Sequence, residues 1–316
     1  MAPVRRLASI DLGTNTFLLL VADTDGSRVE PVLEREEIVR LGHGVDASGN
    51  LSADAMARGL ACLQTYVAEA RAAGAEAIYA TGTSALRDAK NREAFRERVR
   101  DALGMDVQVI SGDAEARYTF AGVLSSAPDP RPDLALIDIG GGSTEVVAGS
   151  GGNVTAARSV DVGSVRLTER FLHGDPLPPQ ELDAARQHTL GMIREFLPLL
   201  QERRPQLLIG AAGTITTLAA IAQRLPVFEP KKIDGYWLSR GQVEDMLEML
   251  AVLPLARRRQ VPGLRPERAD VIVAGALILE TFMAEFGFDR MLVSQRGLRY
   301  GYLLAKARGR ESRIED

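Results

Sequence analysis

Two short segments place an aspartate, glycines and small polar residues in the same order. The first is Asp11-Leu12-Gly13-Thr14-Asn15-Thr16; the second is Asp138-Ile139-Gly140-Gly141-Gly142-Ser143. Glycines let backbone approach closely and leave N–H groups able to face an anion. Thr14, Asn15, Thr16 and Ser143 add side-chain donors at the same places. An aspartate repels phosphate, but Asp11 and Asp138 can each hold a hard divalent cation beside one, directly or through water. A single turn of this kind reads as a tight turn; two related copies point to phosphate binding. A third segment, Gly210-Ala211-Ala212-Gly213-Thr214, lies between a strand pattern and a helix pattern. Gly213 and Thr214 open that helix, where free amides and the helix dipole favour negative charge.

The elements around these turns repeat as well. Leu7 to Ile10 and Phe17 to Ala22 are apolar runs flanking the first turn, which predicts a β-hairpin. Val29 to Val39 supplies a third strand. Ser52 caps a long helix with Met56, Leu60, Leu63 and Val67 on one face. Ala75 to Ala80 reads as a strand, 91–103 as a helix and Val107 to Ile110 as a strand, with a helix opening near Asp113. Sliding the chain by 127 positions places Ile10 on Ile137, Asp11 on Asp138, Gly13 on Gly140 and Thr16 on Ser143. The second half continues with a strand over about 155–162, a helix from Ser164 and a long helix over about 179–203. A strand at 207–210 and a helix at 214–223 follow. A largely helical stretch at about 226–286 then precedes a strand at 291–294 and a last helix near Gly297. Both halves read β-β-β-α-β-α-β-α, which predicts an internal duplication. The proline-rich Ser125 to Asp133 marks the boundary. The expected domains are 1–126 and 127–316, the second carrying a helical insertion at about 226–288, with the final helix able to pack back on the first.

The chain has 316 residues, a net charge of -4 and one cysteine, Cys62. That excludes an intrachain disulfide and a cysteine metal cluster. Three histidines, His43, His173 and His188, are too scattered for a zinc cluster. The charge gives no bulk pull toward nucleic acid or a membrane, and no apolar run approaches a membrane span. The start of the chain lacks the apolar region of a signal peptide, so a cytoplasmic location is expected. His43 reads as a surface-loop residue, Cys62 as a small core residue and Trp237 as a packing residue.

The three glycine-bearing segments, in this order, resemble the phosphate-1, phosphate-2 and nucleotide-loop signature of the superfamily of actin, heat-shock ATPases and sugar kinases. Further stretches resemble the exopolyphosphatase and guanosine pentaphosphate phosphatase family. These are Thr83-Ser84-Ala85-Leu86-Arg87-Asp88-Ala89-Lys90-Asn91, Ile110 to Arg117, the run from Asp138 to Glu145, Gly163 to Glu169, Pro262 to Asp270 and Gly297 to Gly301. One departure stands out: Ala114 replaces the first residue of the Glu-Glu-Ala-Arg often found in that family, while Glu115 is present.

The resemblance implies an α/β fold of two ribonuclease-H-like domains flanking a phosphate cleft. It implies hydrolysis of terminal phosphoanhydride bonds of inorganic polyphosphate, with Mg²⁺ or Mn²⁺. Glu115 would activate water, and Glu145 would help position it or bind the metal with Asp138 and Asp11. At a helix start, Glu115 is expected to favour its ionised form. Thr14, Asn15, Thr16, Arg87, Gly141, Gly142, Ser143, Gly213 and Thr214 would hold phosphates, Arg87 as a planar fork. Arg166, Lys231, Lys232 and Arg268 are further candidates for a chain-like polyanion. Guanosine pentaphosphate is an alternative or additional substrate, and guanosine tetraphosphate a potential ligand. An ATP-dependent small-molecule kinase and a non-catalytic nucleotide-binding protein are more distant alternatives. Longer relatives carry an additional C-terminal helical domain, so this short form leaves room for a homodimer in which a second subunit extends the channel. The negative net charge does not argue against a polyanion, because backbone amides, a metal ion and a few arginines can neutralise it locally.

Overall fold

The structure, a computed structural model, describes residues 3–126, 133–201 and 205–309. The chain divides into two compact units, one of Met1–Ala127 with Arg296–Asp316 and one of Pro128–Gln295. Most of the proline-rich boundary segment, 127–132, lies outside the described residues.

In the first unit the order is β1 (Arg5–Leu12), β2 (Phe17–Thr24), β3 (Val29–Glu37), α1 (Val45–Ser48), α2 (Ala53–Ala72), β4 (Ala77–Gly82), α3 (Ser84–Asp88), α4 (Arg92–Leu103), β5 (Val107–Val109) and α5 (Gly112–Leu124). The second unit has β6 (Leu134–Ile139), β7 (Thr144–Ser150), β8 (Asn153–Val160), α6 (Ser164–Phe171), α7 (Pro179–Ile193), α8 (Leu197–Gln201), β9 (Leu207–Ala211) and α9 (Ala212–Ala222). It continues with α10 (Pro230–Ile233), β10 (Trp237–Ser239), α11 (Arg240–Val252), α12 (Leu255–Arg258), α13 (Ile272–Phe286) and β11 (Arg290–Val293). The last helix, α14 (Leu298–Ala307), belongs to the first unit.

The two sheets run β3-β2-β1-β4-β5 and β10-β11-β9-β6-β7-β8. In each, three antiparallel strands join parallel ones through the first strand of the hairpin. This is the ribonuclease-H-like α/β order twice over. The duplication reaches fine detail. A bulge between Val21 and Ala22 in the first sheet recurs between Ala148 and Gly149 in the second, at the same shift of 127. A bulge re-aims a strand and is a built feature rather than a defect.

Local chemistry explains the helices near the turns. Ser52 accepts a hydrogen bond from the Ala55 N–H and caps α2, and Ser111 does the same for α5 through Ala114. In α2, Met56, Leu63 and Val67 are buried, with Leu60 partly so. The cores are separate, one built on Ile10, Leu19, Leu63 and Phe95, the other on Ile137, Ile215, Leu277 and Phe282. Each fully buried aliphatic side chain contributes about 1.5–3 kcal/mol. Helix α14 packs on α5, with the Tyr118 and Tyr302 rings edge-to-face at 5.2 Å.

Four expectations change. The long helix at 179–203 is broken: α7 ends at Ile193, Arg194–Phe196 form a 3-10 turn, and α8 restarts at Leu197. Pro198 has no N–H for the carbonyl four residues back, and its ring crowds that position. Residues 202–204 lie outside the described residues. The helical stretch at 226–286 contains β10, which pairs with β11; three residues are too few to show a strand period. In β10 it is Leu238 that is buried, while Trp237 is 44% exposed with Arg290 stacked over its ring at 4.4 Å. Cys62 is half-buried rather than core, and burial pushes its thiol up to about 12.

Candidate active site

In the first unit, β1, β4 and β5 are parallel neighbours, and each runs at its carboxyl end into a candidate segment. Parallel sheets bind ligands at that end. Strand β1 leads into the Gly13–Thr16 turn, closed by the Gly13 N–H on the Thr16 carbonyl at 3.1 Å. A following loop clasps it: the Arg40 N–H donates to the Asn15 carbonyl and the Gly42 N–H to the Thr14 carbonyl, both at 2.8 Å. Thr14 and Asn15 are buried, and Asn15 Nδ2 has no hydrogen-bond partner in the protein. An unsatisfied buried donor costs about 1–3 kcal/mol, so this amide suits an anionic oxygen. His43 lies exposed on the clasping loop.

Strand β4 leads into α3, which carries Arg87, and β5 leads into α5, which carries Glu115 in its first turn. Arg87 Nη1 donates to Glu115 Oε2 at 2.5 Å and to the Ile110 carbonyl at 3.2 Å. The guanidinium therefore sits beside Glu115 rather than standing as an isolated phosphate fork. Burial raises the Glu115 carboxyl above the ordinary glutamate range, and Arg87 opposes that rise by charge and hydrogen bond. The helix start alone suggested a more ionised glutamate; the carboxylate is lifted because desolvation outweighs both that dipole and Arg87.

In the second unit the Gly140 N–H closes the equivalent turn on the Ser143 carbonyl at 3.0 Å. Here the carbonyls face α6. The Gly140 carbonyl accepts from the Ser164 N–H, Gly141 from the Val165 and Arg166 N–H groups, and Gly142 from Arg166 Nε at 2.7 Å. A trans peptide points its N–H opposite its C=O. The N–H groups of Gly141, Gly142 and Ser143 thus all turn away from α6, an arrangement that suits an anion. Gly163 makes this possible: a Cβ there would stand 2.6 Å from the Gly141 carbonyl.

Glu145 is directly opposite Asp138 on β6 and Ser159 on β8, so the three side chains share one sheet face. It is 2% exposed, and Ser159 Oγ donates to its Oε1 at 2.7 Å. Like charges directly opposite each other destabilise a sheet, and a bound cation would remove the penalty. Among the described residues no group of three or more acidic, histidine or cysteine side chains could hold a metal ion. A pair of carboxylates nonetheless fits Mg²⁺, which keeps several waters and takes further oxygens from substrate phosphates. Asp11, the counterpart of Asp138, is opposite Leu18, so the first unit lacks the second acid.

The third segment also has a donor geometry. Ala212, the first residue of α9, adopts φ 71°, left-handed for a non-glycine residue, directly ahead of Gly213 and Thr214. Such a conformation costs about 1–2 kcal/mol, and the left-to-right-handed alternation makes successive N–H groups converge on an anion. Arg268 lies over this turn: a Cβ on Gly213 would come within 2.4 Å of both its Nη atoms. Lys231 and Lys232 are elsewhere. The Lys232 carbonyl is bound by Gln223, at the far end of α9 and about 15 Å of helix from Gly213, and Lys232 Nζ pairs with Glu229.

The structure thus gathers Thr14, Asn15, Thr16, Arg87, Glu115 and Asp11 at one end of the first sheet. It gathers Asp138, Gly141, Gly142, Ser143, Glu145, Arg166, Gly213, Thr214 and Arg268 at the corresponding end of the second. Ser159 and Ala212 escaped the sequence reading. Strand register alone reveals the first, and no residue-type signal marks the second.

The model of the Ppx/GppA phosphatase family matches residues 20–309. The chain is 36% identical to "Exopolyphosphatase 2" of Mycobacterium tuberculosis over 318 residues, 96% of this chain and 98% of the relative. A solved exopolyphosphatase from Cytophaga hutchinsonii superposes with a TM-score of 0.90 at 28% identity, covering 99% of this chain and 100% of the other. A solved Aquifex aeolicus PPX-GPPA enzyme gives 0.80 at 32% identity, covering 96% and 100%.

Proposed function

The chain belongs to the Ppx/GppA phosphatase family and is a phosphoanhydride hydrolase, and from that premise we propose that it is an exopolyphosphatase releasing orthophosphate from the ends of inorganic polyphosphate. The observation that carries the reading is the largely buried Arg87–Glu115 pair at the carboxyl end of the first sheet. The preference for polyphosphate rests on the full-length likeness to a relative named for that activity.

Glu115 is the proposed general base. It accepts a proton from the water that attacks the terminal phosphorus, and its raised pKa brings it nearer the range in which a base works at neutral pH. Arg87 holds the carboxylate in one orientation. The donor rows at Gly141–Ser143 and Gly213–Thr214 bind phosphate oxygens in fixed directions, with Thr14, Asn15 and Thr16 doing so from the first unit. Arg166 and Arg268 stiffen those rows and add charge to them. Mg²⁺ or Mn²⁺, when bound, would neutralise charge on the phosphoryl oxygens; Asp138 and Glu145 would hold it, with Asp11 as the candidate ligand of the first unit.

The test compares kcat/KM for long-chain polyphosphate and for guanosine pentaphosphate, with Mg²⁺ and no acceptor alcohol. The reading predicts orthophosphate release from polyphosphate with the higher kcat/KM. Release only when an acceptor is added, or a higher value for the nucleotide, would overturn it.

A further inference from the structure

A cavity of about 900 Å³ opens on the first unit alongside β5, the edge strand of its sheet. Its walls include Arg87, Arg92 and Arg96, Lys306 and Tyr302 from α14, and Asp106. Arg96 is neutralised within the wall, by Glu93 at 2.6 Å and Asp106 at 2.7 Å. Arg87 is paired with Glu115, so Arg92 and Lys306 supply the positive charge that remains in the lining. Arg92 is anchored by a bond from Nη1 to the Arg87 carbonyl at 2.9 Å. Lys306 Nζ is held 5.0 Å from the Tyr79 ring centroid and 4.9 Å from that of Tyr302. Cations fixed on a concave wall attract anions and lose little freedom on binding them. The volume suits a ligand of nucleotide size.

The same cavity touches the proposed base through one residue. Arg87 lines it, and the Nη1 of that guanidinium is the group bonded to Glu115. We propose that the cavity is a second site for a small phosphoanhydride, and that its occupant slows turnover by drawing Arg87 away from Glu115. Phosphate oxygens and a carboxylate compete for the same planar fork. A ligand that engages Arg87 in the cavity therefore favours the arrangement in which Glu115 has lost its positioning partner, which is the differential contact that coupling between sites requires. The coupling, though not the binding, rests on Glu115 being the base.

The occupant can be a short inorganic oligophosphate or a nucleoside diphosphate, and the experiment separates them. Inorganic diphosphate and ADP are each titrated calorimetrically into Glu115→Gln, with and without Lys306→Gln. Each is also added to the wild type at saturating polyphosphate. The proposal expects at least one of the two to bind, with Lys306→Gln weakening it at least tenfold. It expects that ligand to lower kcat, and Lys306→Gln to raise the concentration needed by a similar factor while leaving ligand-free kcat within about twofold. Arg92→Gln serves as the second variant if Lys306→Gln does not fold. Affinity untouched by both substitutions, or inhibition abolished by saturating substrate, overturns the second site. Retained turnover in Glu115→Gln would instead overturn the base assignment, and the binding arm would still report on the cavity.

Discussion

Arg87 and Glu115 lie on helices that follow different strands, yet their side chains meet at 2.5 Å, nearly buried, beside the ends of β4 and β5. The pair opposes two effects. Burial lifts the carboxyl, and Arg87 pulls it back.

Removing Arg87 should therefore move the acidic limb of the pH–rate profile. A base works when ionised, so kcat/KM rises as pH climbs through the Glu115 pKa. Arg87→Gln deletes both influences that lower that pKa, so the limb shifts to higher pH and the maximum falls as orientation is lost. A pH–kcat/KM profile of the two proteins checks this; a limb moving to lower pH contradicts it.

Stability carries the same sign. A carboxyl whose pKa is raised on folding binds its proton more tightly in the native state. Its favourable contribution is complete below the unfolded value of about 4.3 and is lost as pH rises through the native value. Denaturant unfolding of wild type and Glu115→Gln across that range should show the wild type losing stability relative to the variant as pH increases.

Ser159 should tune the acidic pair. Ser159→Ala removes the hydrogen bond to buried Glu145, costing about 1–3 kcal/mol. Loss of a group that orients a metal ligand typically weakens the metal about 10–100-fold. The Mg²⁺ concentration for half-maximal activity should rise by that order while maximal kcat changes less. An unchanged Mg²⁺ requirement would separate Glu145 from the metal.

Gly213→Ala should displace Arg268, whose Nη atoms would stand 2.4 Å from the new methyl. KM for polyphosphate is expected to rise about tenfold or more, because a reoriented donor row loses charge-assisted hydrogen bonds. A thermal melt within a few degrees of wild type would show that the loss is local. Wild-type KM would mean the turn at Gly213 does not bind phosphate.

The hairpins were legible because their information is local: apolar runs, an acidic strand end and small turn residues are contiguous at Asp11–Thr16 and Asp138–Ser143. The two matching sheets followed from the 127-residue repeat, and the register adds a bulge at equivalent positions that the sequence reading did not include. What stayed hidden depends on pairing between distant segments. Asp138, Glu145 and Ser159 form one row only once the register of three strands is known. The pairing of Arg87 with Glu115 was hidden because nothing in the Arg87 segment announces Glu115. Ala212 adopts a glycine-like conformation with an alanine side chain, which residue type cannot signal. Lys231 and Lys232 were singled out by charge alone, and residue type could not show that α9 separates them from the turn at its start.

The central claim is that Glu115 activates the attacking water, and orthophosphate release by Glu115→Gln tests it most directly, measured beside polyphosphate binding by the same protein. The account predicts that kcat falls at least 100-fold while the polyphosphate Kd stays within a few-fold and the fold is unchanged. Near-normal release by a folded, polyphosphate-binding Glu115→Gln would contradict it.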